Sequence, residues 1–186
     1  TRFLVLAPEY TDKPDVPAQT EVSSVLVTMG GIDHYNLSET VINICNDIDR
    51  PLRLNIVIGP YYENSKEIEA AAHNSRQNVV LHYAPSSLYD LMRNSGMAVS
   101  AGGSTLYELA AMRIPTVGIW LWENQRCNVE ELGQREALVP LAYEADCIGA
   151  ELNAAIRAVI DDRELRARLL ANCRDIVDGH SPARIA

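Results

Sequence analysis

Met97-Ala98-Val99-Ser100-Ala101-Gly102-Gly103-Ser104-Thr105-Leu106-Tyr107-Glu108-Leu109-Ala110-Ala111 opens as a short apolar run, pauses at two glycines and resumes with helical periodicity. Read as strand, turn and helix, it sets the pattern for the chain. Further apolar, β-branched runs stand at Val25-Leu26-Val27-Thr28-Met29, Leu54-Asn55-Ile56-Val57-Ile58, Val79-Val80-Leu81-His82 and Thr116-Val117-Gly118-Ile119. Each precedes a helical stretch, and the pattern predicts helices over about 36–48, 64–74, 85–94, 104–112, 123–134, 150–160 and 162–177. Continuous apolar runs imply strands covered on both faces, and strands alternating with helices imply a parallel sheet. The expected fold is an open, doubly wound parallel α/β domain. Asn36 with Glu39 resembles a capping box, and Pro85 suits a first helical position.

In such sheets ligands bind beyond the carboxyl ends of the strands, where loops lead into helices. The Gly102-Gly103 loop lets a backbone approach a ligand closely, and the first amides of the following helix have no intrahelical partner. A diphosphate suits that position, and Glu108, about a turn further on, is placed to accept from a ribose diol. Thr105 and Glu108 also satisfy a capping box, which would occupy Glu108 with backbone instead. The loop is neither GxGxxG nor a Walker A sequence. A second glycine pair, Gly30-Gly31, follows the first core strand, with Asp33 and Asn36 available either for ligand contact or for turn and cap. Together the two pairs could embrace one ligand. After the strand at Thr116, Glu123-Asn124-Gln125 places donors and acceptors at a helix start, suited either to sugar hydroxyls or to solvated capping. Trp120 and Trp122 read as core or domain-interface residues rather than a stacking platform. His82 and Tyr83 end another strand, where they either frame a base or simply pack.

The 186 residues suit one domain, with residues 1–22, which hold Pro8, Pro14 and Pro17, read as a connector from something upstream and 23–186 as the domain itself. The chain does not begin with Met, so a piece of a longer protein is expected. Formal charge is −9, which disfavours nucleic-acid binding through a broad basic surface. Backbone amides can still hold a small anion. No apolar run is long enough to span a bilayer and no signal peptide is visible. Four cysteines without a CxxC pair and four histidines without ligand spacing predict reduced thiols, a cytoplasmic location and no metal or other cofactor.

Val27-Thr28-Met29-Gly30-Gly31 with Asp33 and Asn36, Ile58-Gly59-Pro60, Ser100-Ala101-Gly102-Gly103-Ser104-Thr105 through Tyr107-Glu108-Leu109-Ala110, and Glu123-Asn124-Gln125 resemble, in order, the C-terminal domain of the UDP-sugar hydrolases of pseudaminic acid biosynthesis. Ala7-Pro8-Glu9-Tyr10 resembles the stretch where that family's chain leaves its N-terminal domain. More distantly the chain is similar to the N-acetylglucosaminyltransferase that makes lipid II, and so to the GT-B superfamily. The resemblance implies two Rossmann-like domains facing across a cleft, this one holding a UDP-sugar and a missing N-terminal domain carrying the catalytic residues. It places Gly30, Gly31, Gly103, Ser104 and Thr105 near the diphosphate and Glu108 at the ribose. The main chain of His82 and Tyr83 would meet the uracil, and Asn124 and Gln125 the sugar. Ile32 and His34-Tyr35 depart from the Ser and Pro expected beside Asp33. The whole protein would release UDP from a deoxy-acetamido sugar; the alternatives are a GT-B transferase's donor domain and a non-catalytic nucleotide-sugar module.

Overall fold

The computed structural model describes residues 6–11, 21–174 and 176. Six strands form one sheet: β1 (Ser24–Thr28), β2 (Arg53–Ile58), β3 (Asn78–Tyr83), β4 (Met97–Ala101), β5 (Thr116–Trp120) and β6 (Val139–Ala142). All neighbouring pairs are parallel, in the order β3-β2-β1-β4-β5-β6. The chain therefore winds outward from β1 to β3, crosses back to β4 beside β1, and winds out again the other way. The helices are α1 (Pro8–Thr11), α2 (Leu37–Asn46), α3 (Ser65–Asn74), α4 (Tyr89–Arg93), α5 (Thr105–Ala111), α6 (Glu123–Gln134), α7 (Ile148–Asp161) and α8 (Arg163–Cys173).

Alternation along β1 shows why both faces are covered. Val25 and Val27 join a cluster with Val41, Ile42, Leu152 and Ile156, on α2 and α7. Leu26 points the other way, to Met92 and Leu109 on α4 and α5. Every residue of β1 and β4 is buried, and burying one Val or Leu side chain stabilises by about 1.5–3 kcal/mol. A third cluster joins α5, α6 and α8 around Leu106, Val129 and Cys173. The doubly wound parallel α/β fold expected from the alternation is the one observed, and it is Rossmann-like.

Three elements differ from expectation. α1 lies in the stretch read as a connector, with Pro8 at its first position, where a helix tolerates proline. β6 was not among the expected strands, because Pro140 interrupts its apolar pattern; it pairs on one side only, with β5, and an edge is where a sheet tolerates proline. Pro85 does not start α4. Ala84 takes φ 37°, the Pro85–Leu88 stretch is a turn, and the Ser87 hydroxyl accepts from the Tyr89 N–H at 3.1 Å just as the helix begins. Of the expected connector, residues 6–11 and 21–22 are described; Val22 is buried in the main core cluster, and residues 6–11 pack on the domain. Tyr10 is buried and meets Tyr89 edge-on at 5.9 Å; the rest of that stretch up to residue 20 lies outside the described residues.

Candidate functional site

The loops leaving β1 and β4 diverge to opposite faces, since the winding reverses between these two strands. A crevice opens there at the carboxyl edge, the position where doubly wound sheets take ligands. It is a pocket of about 290 Å³, lined by the ends of β1 and β4, both glycine turns, Thr105, and residues from the loops after β2 and β5. That is near the low end of roughly 300–1,000 Å³ typical of small-molecule pockets, enough for part of an extended ligand.

Each wall has a local cause. Gly30 takes φ 80°, a left-handed turn that costs glycine little. A Cβ on Gly59 would lie 2.4 Å from the Gly30 carbonyl oxygen and 2.6 Å from that of Gly31, so only glycine lets the two loops touch. The Tyr61 N–H donates to the Gly31 carbonyl at 3.1 Å, which fixes Tyr61 beside the turn. Asp33, 3% exposed, accepts from the N–H groups of Leu37 at 2.9 Å and Ser38 at 2.8 Å. Asp33 therefore caps α2. Asn36 lies in the left-handed region, makes no side-chain cap, and bonds instead to the Glu39 and Asn64 side chains, so the capping box expected of Asn36 and Glu39 does not form. Burial, with the Asp33 charge beside it, pushes the Tyr62 phenol up and keeps it neutral.

The opposite wall is open to an anion. Ser104 holds the capping position without a side-chain cap, and Thr105 is already the first residue of α5, so the Thr105–Glu108 capping box is not formed either. The Gly103 N–H is taken by the Ala101 carbonyl at 2.9 Å, whereas those of Ser104 and Thr105 have no backbone acceptor among the described residues. No Lys or Arg lines the pocket among the described residues, so an anion there would meet amides and neutral side-chain donors such as Thr105. Gln125 reaches in from α6, its Oε1 accepting from the Leu121 N–H at 2.9 Å.

The pocket thus brings together Gly30, Gly31, Gly103, Thr105 and Gln125. Ser104 is exposed beside it, and Asn124 is exposed on the first turn of α6, outside the lining. Glu108 is half-buried one turn into α5 and also outside the lining. Burial raises its pKa, and Glu9 on α1 adds repulsion. Glu9 in turn accepts from the Ser87 hydroxyl at 2.6 Å. His82 and Tyr83 end the edge strand β3, two strands from β1. The His82 ring bonds Asn55 Oδ1 at 3.1 Å, and burial followed by the Arg53 charge lowers its pKa. The Tyr83 hydroxyl donates to Glu69 at 2.6 Å, and its ring is exposed.

Sequence reasoning missed the apolar rim. Ile32, Tyr61 and Trp122 are 54%, 71% and 49% exposed, and all three line the pocket. Trp122 is held by neighbours: its ring lies 5.6 Å from Tyr35 and 5.7 Å from His34, and Tyr35 stacks on Tyr143 at 3.7 Å. The signal for Tyr61 was its place just after Gly59-Pro60 at a strand end. Trp122, read from the sequence as a core or domain-interface residue, is instead half exposed at the rim, because the His34 and Tyr35 rings that hold it there are remote from it in sequence. Also missed was Asn128, whose Nδ2 donates to the Gly102 carbonyl at 2.9 Å. Among the described residues no group of three or more His, Cys, Asp or Glu could hold a metal, and no helix is long and apolar enough to cross a membrane.

No protein-family model matches the chain. Over 131 residues, 67% of this chain, it is 24% identical to an uncharacterized protein of Methanocaldococcus jannaschii, spanning 27% of that protein. Over 121 residues, 63% of this chain, it is 33% identical to the Helicobacter pylori pseudaminic acid cytidylyltransferase and UDP-2,4-diacetamido-2,4,6-trideoxy-beta-L-altropyranose hydrolase, spanning 20% of it. The matched region thus spans a fifth to about a quarter of these curated relatives. Among solved structures, Acinetobacter baumannii MurG superposes with a TM-score of 0.73 at 14% identity, covering 95% of this chain and 50% of that one. The calicheamicin glycosyltransferase CalG4 gives 0.66 at 19%, covering 91% and 43%. WaaG, a glycosyltransferase of lipopolysaccharide biosynthesis, gives 0.65 at 17%, covering 89% and 46%. The fold of this chain is the Rossmann-like α/β fold of GT-B glycosyltransferase domains.

Proposed function

We propose that this chain is the C-terminal, nucleotide-sugar-binding domain of a two-domain GT-B protein, and that the whole protein hydrolyses a UDP-sugar carrying a deoxy-acetamido sugar. The observation that carries the reading is the meeting of both glycine turns and the first amides of α5 in one pocket between β1 and β4. A diphosphate seated there faces donors already free of internal partners, so its charge is stabilised without reorganisation as the glycosidic bond breaks. Glu108 would hold the ribose hydroxyls, with the nucleoside extending toward the ends of β2 and β3, where the main chain of His82 and Tyr83 would meet uracil. The sugar would lie by Gln125 and Asn124, with the Ile32, Tyr61 and Trp122 rim against its less polar face. The water-activating base would come from an N-terminal domain, in keeping with solved neighbours about twice the length that this chain covers. The hydrolase reading draws on the Helicobacter pylori relative.

A transferase donor domain is the second reading, favoured by the solved neighbours, which include several glycosyltransferases. The sequence upstream of Thr1 separates the two: a Gly-x-Gly-His loop is expected for the hydrolase. The pocket itself is tested by titrating UDP into this chain by calorimetry. Binding is expected, and Glu108→Ala should weaken it about tenfold or more, the loss of a charge-assisted hydrogen bond. No heat of binding at millimolar UDP would sink both readings.

A further inference from the structure

We infer that Asn128, on α6, is a positioning residue for the phosphate seat, acting on the Gly102–Gly103 peptide from outside the loop it controls. The inference rests on the proposed seating of a diphosphate at the α5 amides.

The geometry is a short relay. A peptide carbonyl can only accept, so the Asn128 amide nitrogen must be the group that meets the Gly102 oxygen, at 2.9 Å. That orientation turns Asn128 Oδ1 toward Tyr107, whose hydroxyl donates to it at 3.0 Å. Tyr107 is 8% exposed and is itself set by packing in the α5–α6–α8 cluster. The loop is also pressed onto α6: a Cβ on Gly102 would come within 2.8 Å of Val129 Cγ2 and 2.9 Å of Gln125 Cβ.

A trans peptide is planar, with its C=O and N–H pointing opposite ways. Here both ends are tied, the Gly102 oxygen to Asn128 and the Gly103 N–H to the Ala101 carbonyl. The plane cannot rotate without breaking both bonds. Rotation would swing the Gly102 oxygen away from α6, to the side where the Gly103 N–H now meets the carbonyl of Ala101, a residue that lines the pocket. Asn128 therefore keeps a carbonyl out of an anion's seat, and Tyr107 keeps Asn128 facing the right way.

The relay acts on phosphate and not on nucleoside, and acts in series. Asn128→Leu, similar in size and uncharged, is expected to weaken UDP binding about tenfold in NMR titrations, while uridine binding stays within about twofold. Tyr107→Phe is expected to weaken UDP about threefold, and the double variant to be no weaker than Asn128→Leu alone, since Tyr107 works only through Asn128. Circular dichroism checks that each variant folds. Should Asn128→Leu fail to fold, the UDP-to-uridine ratio of Tyr107→Phe decides. UDP affinity unchanged in Asn128→Leu, or uridine falling in step with UDP, overturns the inference and leaves the pocket's reading standing. Failure of the parent chain to bind UDP overturns the reading of the pocket, and this inference with it.

Discussion

Glu108 sits where the fold disfavours its charge. Burial comes first among the causes and the Glu9 carboxylate second, both raising the pKa. Above the ordinary carboxylate range the native state then retains protons that the unfolded chain has released, so stability falls as pH rises through that window. Glu108→Gln is accordingly expected to raise the thermal unfolding midpoint at about pH 7 and leave it unchanged near pH 3.5, where both states are protonated. An equal shift at both pH values would show that packing, not charge, is responsible. A group that costs stability and serves binding is a familiar trade, and under the proposed function the same substitution weakens UDP. At this scale the sequence was only half legible. Asn124 and Gln125 are adjacent on a helix, about 100° apart, so at most one faces a given wall, and spacing alone could not say which. Gln125 lines the pocket and Asn124 faces solvent. Likewise Asp33 and Asn36 are both competent caps by type, and only the left-handed turn at Asn36 decides for Asp33.

Among the elements, the glycine turns differ in what they tolerate. Gly103 has nothing within 4 Å of a prospective Cβ, whereas Gly59 would meet backbone oxygens of Gly30 and Gly31. Gly103→Ala is expected to leave stability within about 0.5 kcal/mol of the parent in urea unfolding. Gly59→Ala should cost about 1–3 kcal/mol, the range of an overpacked core, because the β1–α2 and β2–α3 loops must part. Equal costs would mean that the loops yield freely and that the pocket wall is soft. Helices and buried strands were legible from their periods, since alternation of apolar runs and helical stretches leaves few other arrangements. Pro140 hid β6, because a proline argues against a strand unless the strand is known to be an edge, and edge status is a property of the assembled sheet. The Asn128–Gly102 bond joins residues 26 apart in sequence and follows no local pattern, which is why the loop could be read and its support could not.

For the whole molecule, the parallel sheet could be read ahead of the structure but the strand order could not. That β1 and β4 are neighbours, and hence that Gly30-Gly31 and Gly102-Gly103 share a crevice, follows from the crossover after β3. Charge is the other global property. The protein carries −9, and no Lys or Arg lines the pocket among the described residues. Salt therefore screens repulsion between protein and an anionic ligand rather than an attractive clamp. UDP affinity is expected to hold or rise slightly between about 20 and 200 mM NaCl, measured by the same titration; a several-fold weakening would reveal a cationic contact that the pocket does not contain.

The place of Trp122 has a practical side. The chain has two tryptophans, and this one is half in water at the mouth of the crevice, braced by Tyr35 and His34. An indole moving from solvent to a covered setting emits at shorter wavelength, so the protein carries its own optical gauge of occupancy, with no dye attached.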